Sequence, residues 1–164
     1  MSDQIETLVT QDMLDRKGVW SEAKVSPPIS DSDIRKWAIA VYWPETPPKI
    51  FWDTDYAKTT HWSGIIAPSE FNPFAWPVEK EPTPVGLQTP QGGGVGTRAM
   101  NGGQTEEYYA PMRPGDVISS STALSEWNER TTSLGLTLFS TTETRWVNQR
   151  GDLVKIRKSI GIRY

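Results

Sequence analysis

Between residues 30 and 48 the chain is tightly constrained. Ile34, Trp37, Ala38 and Val41 recur at i, i+3, i+4 and i+7, a spacing that puts four apolar side chains on one face of a helix. The spacing predicts a helix over residues 31–43, with Ser30 as its N-cap and Asp33 near the positive end of its dipole. Pro44 ends it, because proline supplies no N–H and biases its predecessor away from helical geometry, and Pro47 and Pro48 keep the following residues extended. At ~1.5 Å per residue the helix is about 20 Å long, enough to run along a curved sheet.

Everything after this elbow reads mainly as strand. Residues 104–110 are a short candidate strand, and Pro114-Gly115-Asp116 supplies turn chemistry. Residues 117–127 are rich in β-branched and small polar side chains. Residues 134–147 alternate through Leu134, Leu136 and Leu138, and residues 148–152 mark a hairpin. In the last segment Val154, Ile156, Ile160, Ile162 and Tyr164 alternate with Lys155, Arg157 and Arg163, which predicts one buried and one solvated sheet face. Ahead of the central helix, residues 3–15 suit a short helix with Ile5, Leu8, Val9 and Met13 on one side, within an N-terminal helical segment 1–18 that Gly18 closes. Residues 19–25 suit a first strand. Residues 54–60 suit one or two helical turns capped by Asp53 or Thr54. Residues 73–97 form a long Pro/Gly-rich loop. Its GGGVG run lacks the preceding strand and following Gly-Lys-Ser/Thr of a phosphate loop, so it reads as a connector. The order predicts an α+β architecture, an antiparallel sheet wrapped around a central helix, in one domain spanning residues 1–164.

Composition narrows the functional classes. The chain has 164 residues, 36% hydrophobic and 23% charged, enough for one sizeable core. A net charge of −3 without a basic block excludes a nucleic-acid footprint. No apolar run approaches ~20 residues and the N-terminus lacks a signal-peptide pattern, so neither a membrane span nor secretion is expected, and a cytoplasmic location follows. With no cysteine and one histidine, disulfides, thiolate nucleophiles and multi-histidine metal sites are excluded, and no metal is expected. Five of the eight tryptophans, Trp37, Trp43, Trp52, Trp62 and Trp76, cluster in one region, as a core or a wide apolar cleft would require.

Three sequence pieces carry a family resemblance: Asp-x-x-Tyr-Ala at 53–57 followed by Trp-x-Gly-Ile-Ile-Ala-Pro at 62–68, Asn-Gly-Gly at 101–103, and Arg-Pro-Gly-Asp at 113–116. With the closing strands, they make the chain from Leu8 to Tyr164 resemble the hot-dog-fold MaoC-like dehydratases. It is most similar to the fatty-acid-synthase-type dehydratase domain that forms the N-terminal half of double hot-dog hydratases. The resemblance implies an acyl-thioester ligand, acyl-CoA or an acyl carrier protein thioester, held between two hot-dog modules, with no other cofactor. In active members a Gly-Asp-x-Asn-Pro-x-His signature after the central helix supplies an aspartate and a histidine. These activate a water for addition across an enoyl thioester, a reaction that needs acid/base groups and donors at the thioester carbonyl.

The corresponding stretch here, 45–53, puts Phe51 at the histidine position and neither aspartate nor asparagine at the others. Related N-terminal halves carry an aromatic there and leave the chemistry to the other module. The resemblance therefore implies a non-catalytic, acyl-binding subunit paired with a catalytic MaoC-like chain, or with itself as a homodimer. A self-sufficient hydratase with a non-standard acid/base pair and a non-enzymatic thioester-binding protein are the alternatives.

Glu45, Asp53 and His61 are the weak catalytic candidates. Their plainer roles are a solvated elbow carboxylate, a helix N-cap and a surface hydrogen-bonding group. Trp37, Trp43, Phe51, Trp62, Ile66 and Phe71 are candidates for an acyl pocket as well as for the core. Ser69 falls where active hydratases offer a glycine N–H to the thioester carbonyl. Asn101, Gly102 and Gly103 would let backbone N–H groups approach a thioester, or would form a bulge. Arg98 and Arg113 suit CoA phosphates or surface ion pairs. Ser63 lacks a Gly-x-Ser-x-Gly context and an evident base, which argues against serine hydrolase chemistry.

Overall fold

A computed structural model describes residues 7–79 and 94–164. Its elements are α1 (Gln11–Arg16), β1 (Lys24–Val25), α2 (Asp31–Tyr42), a 3-10 turn (Lys49–Phe51), α3 (Thr54–Thr59), β2 (Ala99–Tyr108), β3 (Ile118–Thr132), β4 (Gly135–Asn148) and β5 (Leu153–Arg163). The strands make one antiparallel sheet in the order β1-β3-β4-β5-β2. Two hairpins set its centre. Gly135, at φ +92°, turns β3 into β4, and Gly151, at φ +88°, turns β4 into β5; only glycine takes up such angles without a Cβ clash. In the second turn Asn148 Oδ1 accepts from the N–H of Arg150 at 2.9 Å and of Asp152 at 3.0 Å, as asparagine does in side-chain-mimicked turns.

Asp116 anchors this hairpin to the loop before β3. Its carboxylate is buried and accepts from Arg113 N at 2.9 Å, Gln149 Nε2 at 3.0 Å and Arg150 Nη1 at 2.9 Å. A buried charge persists when its lone pairs are filled in this way.

The central helix begins where its cap predicts: Ser30 Oγ accepts from Asp33 N at 3.1 Å. Ile34 and Ala38 are both 0% exposed, and Ile34 enters a core with Ile118 of β3, Trp146 of β4 and Val154 of β5, together with Ala57, Phe71 and Met112. Trp37 packs at its margin, edge-on to Phe71 at 5.5 Å. Val41, expected on the same face, is 49% exposed. The last turn of the helix runs past the core, and Tyr42 instead meets Phe51 of the 3-10 turn at 5.9 Å.

Other expectations change in extent. The N-terminal helix starts at Gln11, because Thr10 takes extended geometry and caps Met13 N. Leu8 and Met13 are buried against Leu138 in a second cluster, and Ile5 lies outside the described residues. The first strand shrinks to Lys24–Val25. Residues before it touch β3 at separate points, through Gly18 N to Leu124 O and Ser21 N to Thr122 O. The edge strand starts at Ala99, earlier than expected, by carrying a bulge between Asn101 and Gly103. Leu134 sits exposed in the hairpin, since its N–H is held by Thr132 Oγ1 at 3.0 Å. Residues 80–93 of the long loop, including the first two glycines of the GGGVG run, lie outside the described residues.

Burial assigns different weights to two residues that helical spacing makes equal. Ile34→Ala is expected to lower the unfolding free energy by about 2–5 kcal/mol, and Val41→Ala to leave it within about 0.5 kcal/mol. Chemical denaturation midpoints check this, and equal losses would contradict the described seating of α2.

Candidate functional site

The elbow after α2 holds the three acid/base candidates apart from one another in role. Glu45 is exposed in the turn that follows Pro44, its N–H bonded to Tyr42 O at 2.8 Å. Asp53 is the N-cap of α3, its Oδ1 accepting from Tyr56 N at 3.0 Å. His61 is exposed and lies against the Trp62 ring, centroids 4.3 Å apart. Phe51, at the position where the resemblance puts a histidine, is partly buried against the core. Trp43 is 77% exposed.

A second group converges. Trp62, Ile66, Ala67, Pro68 and Ser69 form one wall of a pocket of about 110 Å³, and residues Tyr108 to Met112 with Val154 and Lys155 form the other. Among the candidates from sequence, Trp62, Ile66 and Ser69 meet here. Phe71 is buried in the core and lines a larger groove of about 970 Å³, together with Phe74, Trp76 and the start of α2. Asn101, Gly102 and Gly103 lie instead on the exposed edge strand. There Asn101 Oδ1 holds Gly103 N at 2.8 Å, and a Cβ on Gly102 would come within 2.8 Å of Ile160, so the bulge itself accounts for glycine at 102. Arg98 pairs its backbone with Tyr164, and Arg113 is half-buried beside Gly64. Among the described residues no group of His, Asp or Glu side chains is placed to hold a metal.

Sequence reasoning missed Lys155. The alternation of β5 puts it on the solvated face, yet it is 1% exposed. The reason is its place in the sheet: it stands directly between Tyr108 of β2 and Trp146 of β4, and the pocket wall closes over it. Its Nζ lies 3.7 Å from the centre of the Trp146 ring and 3.8 Å from Glu106 Oε2, with no hydrogen-bond partner among the described residues. Glu106 is already engaged, accepting from Arg157 Nε at 2.6 Å and from the Tyr108 hydroxyl. The signal that could have found this cluster is the pairing of Glu106 with Arg157 across two strands, since opposite charges favour facing positions. It needed the strand register.

Burial pushes the Lys155 ammonium down to about 8, against the opposing pull of the Glu106 charge. Burial, reinforced by its bond to Glu106, pushes the Tyr108 phenol up to about 12. Burial also works against the charged form of Glu106, but the bonds from Tyr108 and Arg157 and the two cations outweigh it and hold the carboxyl below its ordinary range.

These directions give a stability prediction. From pH 8 to 10 the unfolded chain keeps a proton on Lys155 that the folded chain has released, so this lysine favours folding progressively as pH rises. Tyr108 opposes only above its ordinary value of 10. The stability of the wild type relative to Lys155→Met is expected to rise by on the order of 1 kcal/mol across that window. A flat difference in denaturation free energies would contradict it.

Comparison with known proteins places this geometry in a family. A family model described as the FAS1-like dehydratase domain region matches residues 15–157. No curated protein sequence matches the chain. Among solved structures, the ChsH1–ChsH2 complex from Mycobacterium tuberculosis gives a TM-score of 0.70 at 17% identity, covering 93% of this chain and 88% of that one. The R-hydratase PhaJ1 from Pseudomonas aeruginosa gives 0.55 at 18%, covering 88% and 79%. The truncated HadBC complex of M. tuberculosis, a 3R-hydroxyacyl-ACP dehydratase, gives 0.55 at 14%, covering 86% and 96%. At these identities the likeness establishes a common fold, the hot-dog fold of MaoC-like dehydratases and hydratases. The chain belongs to the FAS1-like dehydratase domain family.

Proposed function

We propose that this chain is the non-catalytic, acyl-binding subunit of a cytoplasmic, heteromeric MaoC-type enoyl-CoA hydratase. The observation that carries the reading is the elbow. Hydration requires one group to take a proton from water and a route for a proton to C2, and Phe51, packed beside the core, can do neither. Glu45 and His61 face solvent, and Asp53 is committed to capping α3. The acid/base pair would then come from a partner.

Two surfaces support a partner of the same fold. β2 is ten residues long, exposed, and among the described residues paired on one side only, to β5; such an edge is a template for continuing a sheet into another chain. Near the end of α2, Ile39 and, on another face, Val41 are exposed, as is Trp43 just beyond the helix, apolar side chains that a partner would cover. Two of the structurally similar proteins are themselves complexes, ChsH1–ChsH2 and HadBC. The groove of about 970 Å³ walled by Phe71, Phe74 and Trp76 suits a bulky acyl group, delivered by CoA or by an acyl carrier protein.

The test is turnover. The chain, purified alone and together with a hot-dog protein encoded beside it, is assayed for loss of the conjugated absorbance of crotonyl-CoA and of a sixteen-carbon enoyl-CoA. The expected result is activity in the pair and none in the chain alone, with Glu45→Gln and His61→Asn changing the pair's rate by less than about twofold, as substitutions away from the chemistry do. Hydration by the isolated chain would overturn the reading.

A further inference from the structure

An unpaired sheet edge takes up almost any extended strand unless its residues discriminate, and native edges carry bulges and charges for that purpose. β2 carries both. Its bulge lies between Asn101 and Gly103, so residues 104–108 are the stretch in regular register with β5. Arg98 and Tyr164 exchange backbone N–H to O bonds at one end of the ladder, and Tyr109 N–H donates to Val154 O at the other. Between them Thr105 pairs with Lys158 and Glu107 with Ile156. The odd-numbered residues therefore turn their N–H and C=O groups to β5, and Gln104, Glu106 and Tyr108 turn theirs outward. Two acids stand side by side in this stretch. Glu106 is filled from within the chain, by Arg157 Nε at 2.6 Å and by the Tyr108 hydroxyl. Glu107 is exposed, and among the described residues its carboxylate takes the Tyr109 hydroxyl at 2.7 Å and no cation. Arg145, level with it across β5, is held by Glu143 at 2.8 Å.

We propose that β2 is a charge-selective edge: it continues into the edge strand of a different chain, antiparallel along residues 104–108, that sets a lysine or arginine opposite Glu107, and it rejects a second copy of this chain. The inference rests on the partnered-subunit role proposed above. Self-pairing meets the acids badly. Two antiparallel copies engage the whole stretch only in the register centred on Glu106, which sets that side chain directly opposite its counterpart. Moving the centre to Glu107 opposes the two Glu107 side chains, and moving it to Thr105 draws the bulge into the ladder. Like charges directly opposite destabilise a strand pair. The loss grows for Glu106, whose side chain is already only 13% exposed, because charges interact more strongly away from water. A cation facing Glu107 converts the penalty at that position into a gain, a change of roughly tenfold in association.

The experiment uses the exposed acid. Wild type, Glu107→Lys, their equimolar mixture, and wild type with the hot-dog protein encoded beside it are compared by sedimentation velocity and by amide hydrogen exchange. Wild type and Glu107→Lys are each expected to sediment as monomers at micromolar concentration. Their mixture is expected to associate at least roughly tenfold more tightly than either alone. In the mixture and in the complex with the neighbouring protein, the outward amides of Gln104, Glu106 and Tyr108 are expected to become protected. A wild-type homodimer with those amides protected overturns the proposal, as does a mixture that associates no more tightly than wild type. A complex with the neighbouring protein that leaves the three amides exchanging as in the free chain shows that bulge and acids only blunt the edge; it overturns the proposal and leaves the subunit reading standing. Absence of any such complex, with hydration by the isolated chain, overturns both.

Discussion

The fold depends on seating Ile34 of α2 against the sheet, in one core with Ile118, Trp146 and Val154 on three successive strands, with Trp37 of the same helix packed at its margin. Because the seat ends at Ala38, the last helical turn overhangs. Val41 and Trp43 stay exposed, the chain breaks at Pro44, and the 3-10 turn brings Phe51 back against Tyr42. In this chain the elbow packs Phe51 against Tyr42 and the edge of the core.

Trp146 links this core to both concave spaces. One face packs edge-on with Phe74, which lines the large groove, at 5.5 Å. The ring also carries the Lys155 ammonium at 3.7 Å, an arrangement in which the quadrupole of an indole offsets part of the lost hydration. A single side chain thus holds the apolar groove wall and the polar pocket wall in fixed relation. Among the described residues the surface carries one large recess walled by Phe71, Phe74 and Trp76 and one small recess walled by Trp62, Ile66 and Tyr108.

The parts of this structure that were legible in the sequence are those set by local chemistry. Ser30 and Asp53 cap because a side-chain oxygen can reach an N–H three residues on. The turn at Gly151 follows from a backbone angle that favours glycine. The extents of β1 and β2 were not legible, since they depend on where the neighbouring strand offers hydrogen bonds; Asn101–Gly103 reads as a loop until β5 is there to absorb the bulge. Val41 and Lys155 were misplaced for the same reason. Periodicity says which residues share a face, and only the packed neighbours say how far burial extends along it or whether a second layer covers the other face. In the candidate site, Trp62, Ile66 and Ser69 came from motif resemblance, whereas Lys155, Glu106 and Tyr108 required the register of three strands.

Whether any group in this chain moves a proton at the acyl chain decides between a non-catalytic and a catalytic subunit. The most direct measurement is mass spectrometry of crotonyl-CoA and 3-hydroxybutyryl-CoA after incubation with the pure chain in deuterium oxide. A subunit without an acid/base pair leaves both thioesters free of carbon-bound deuterium above the level of a protein-free control. Deuterium at C2, introduced by the chain alone and abolished by a single substitution at Glu45, Asp53, His61 or Lys155, would contradict it.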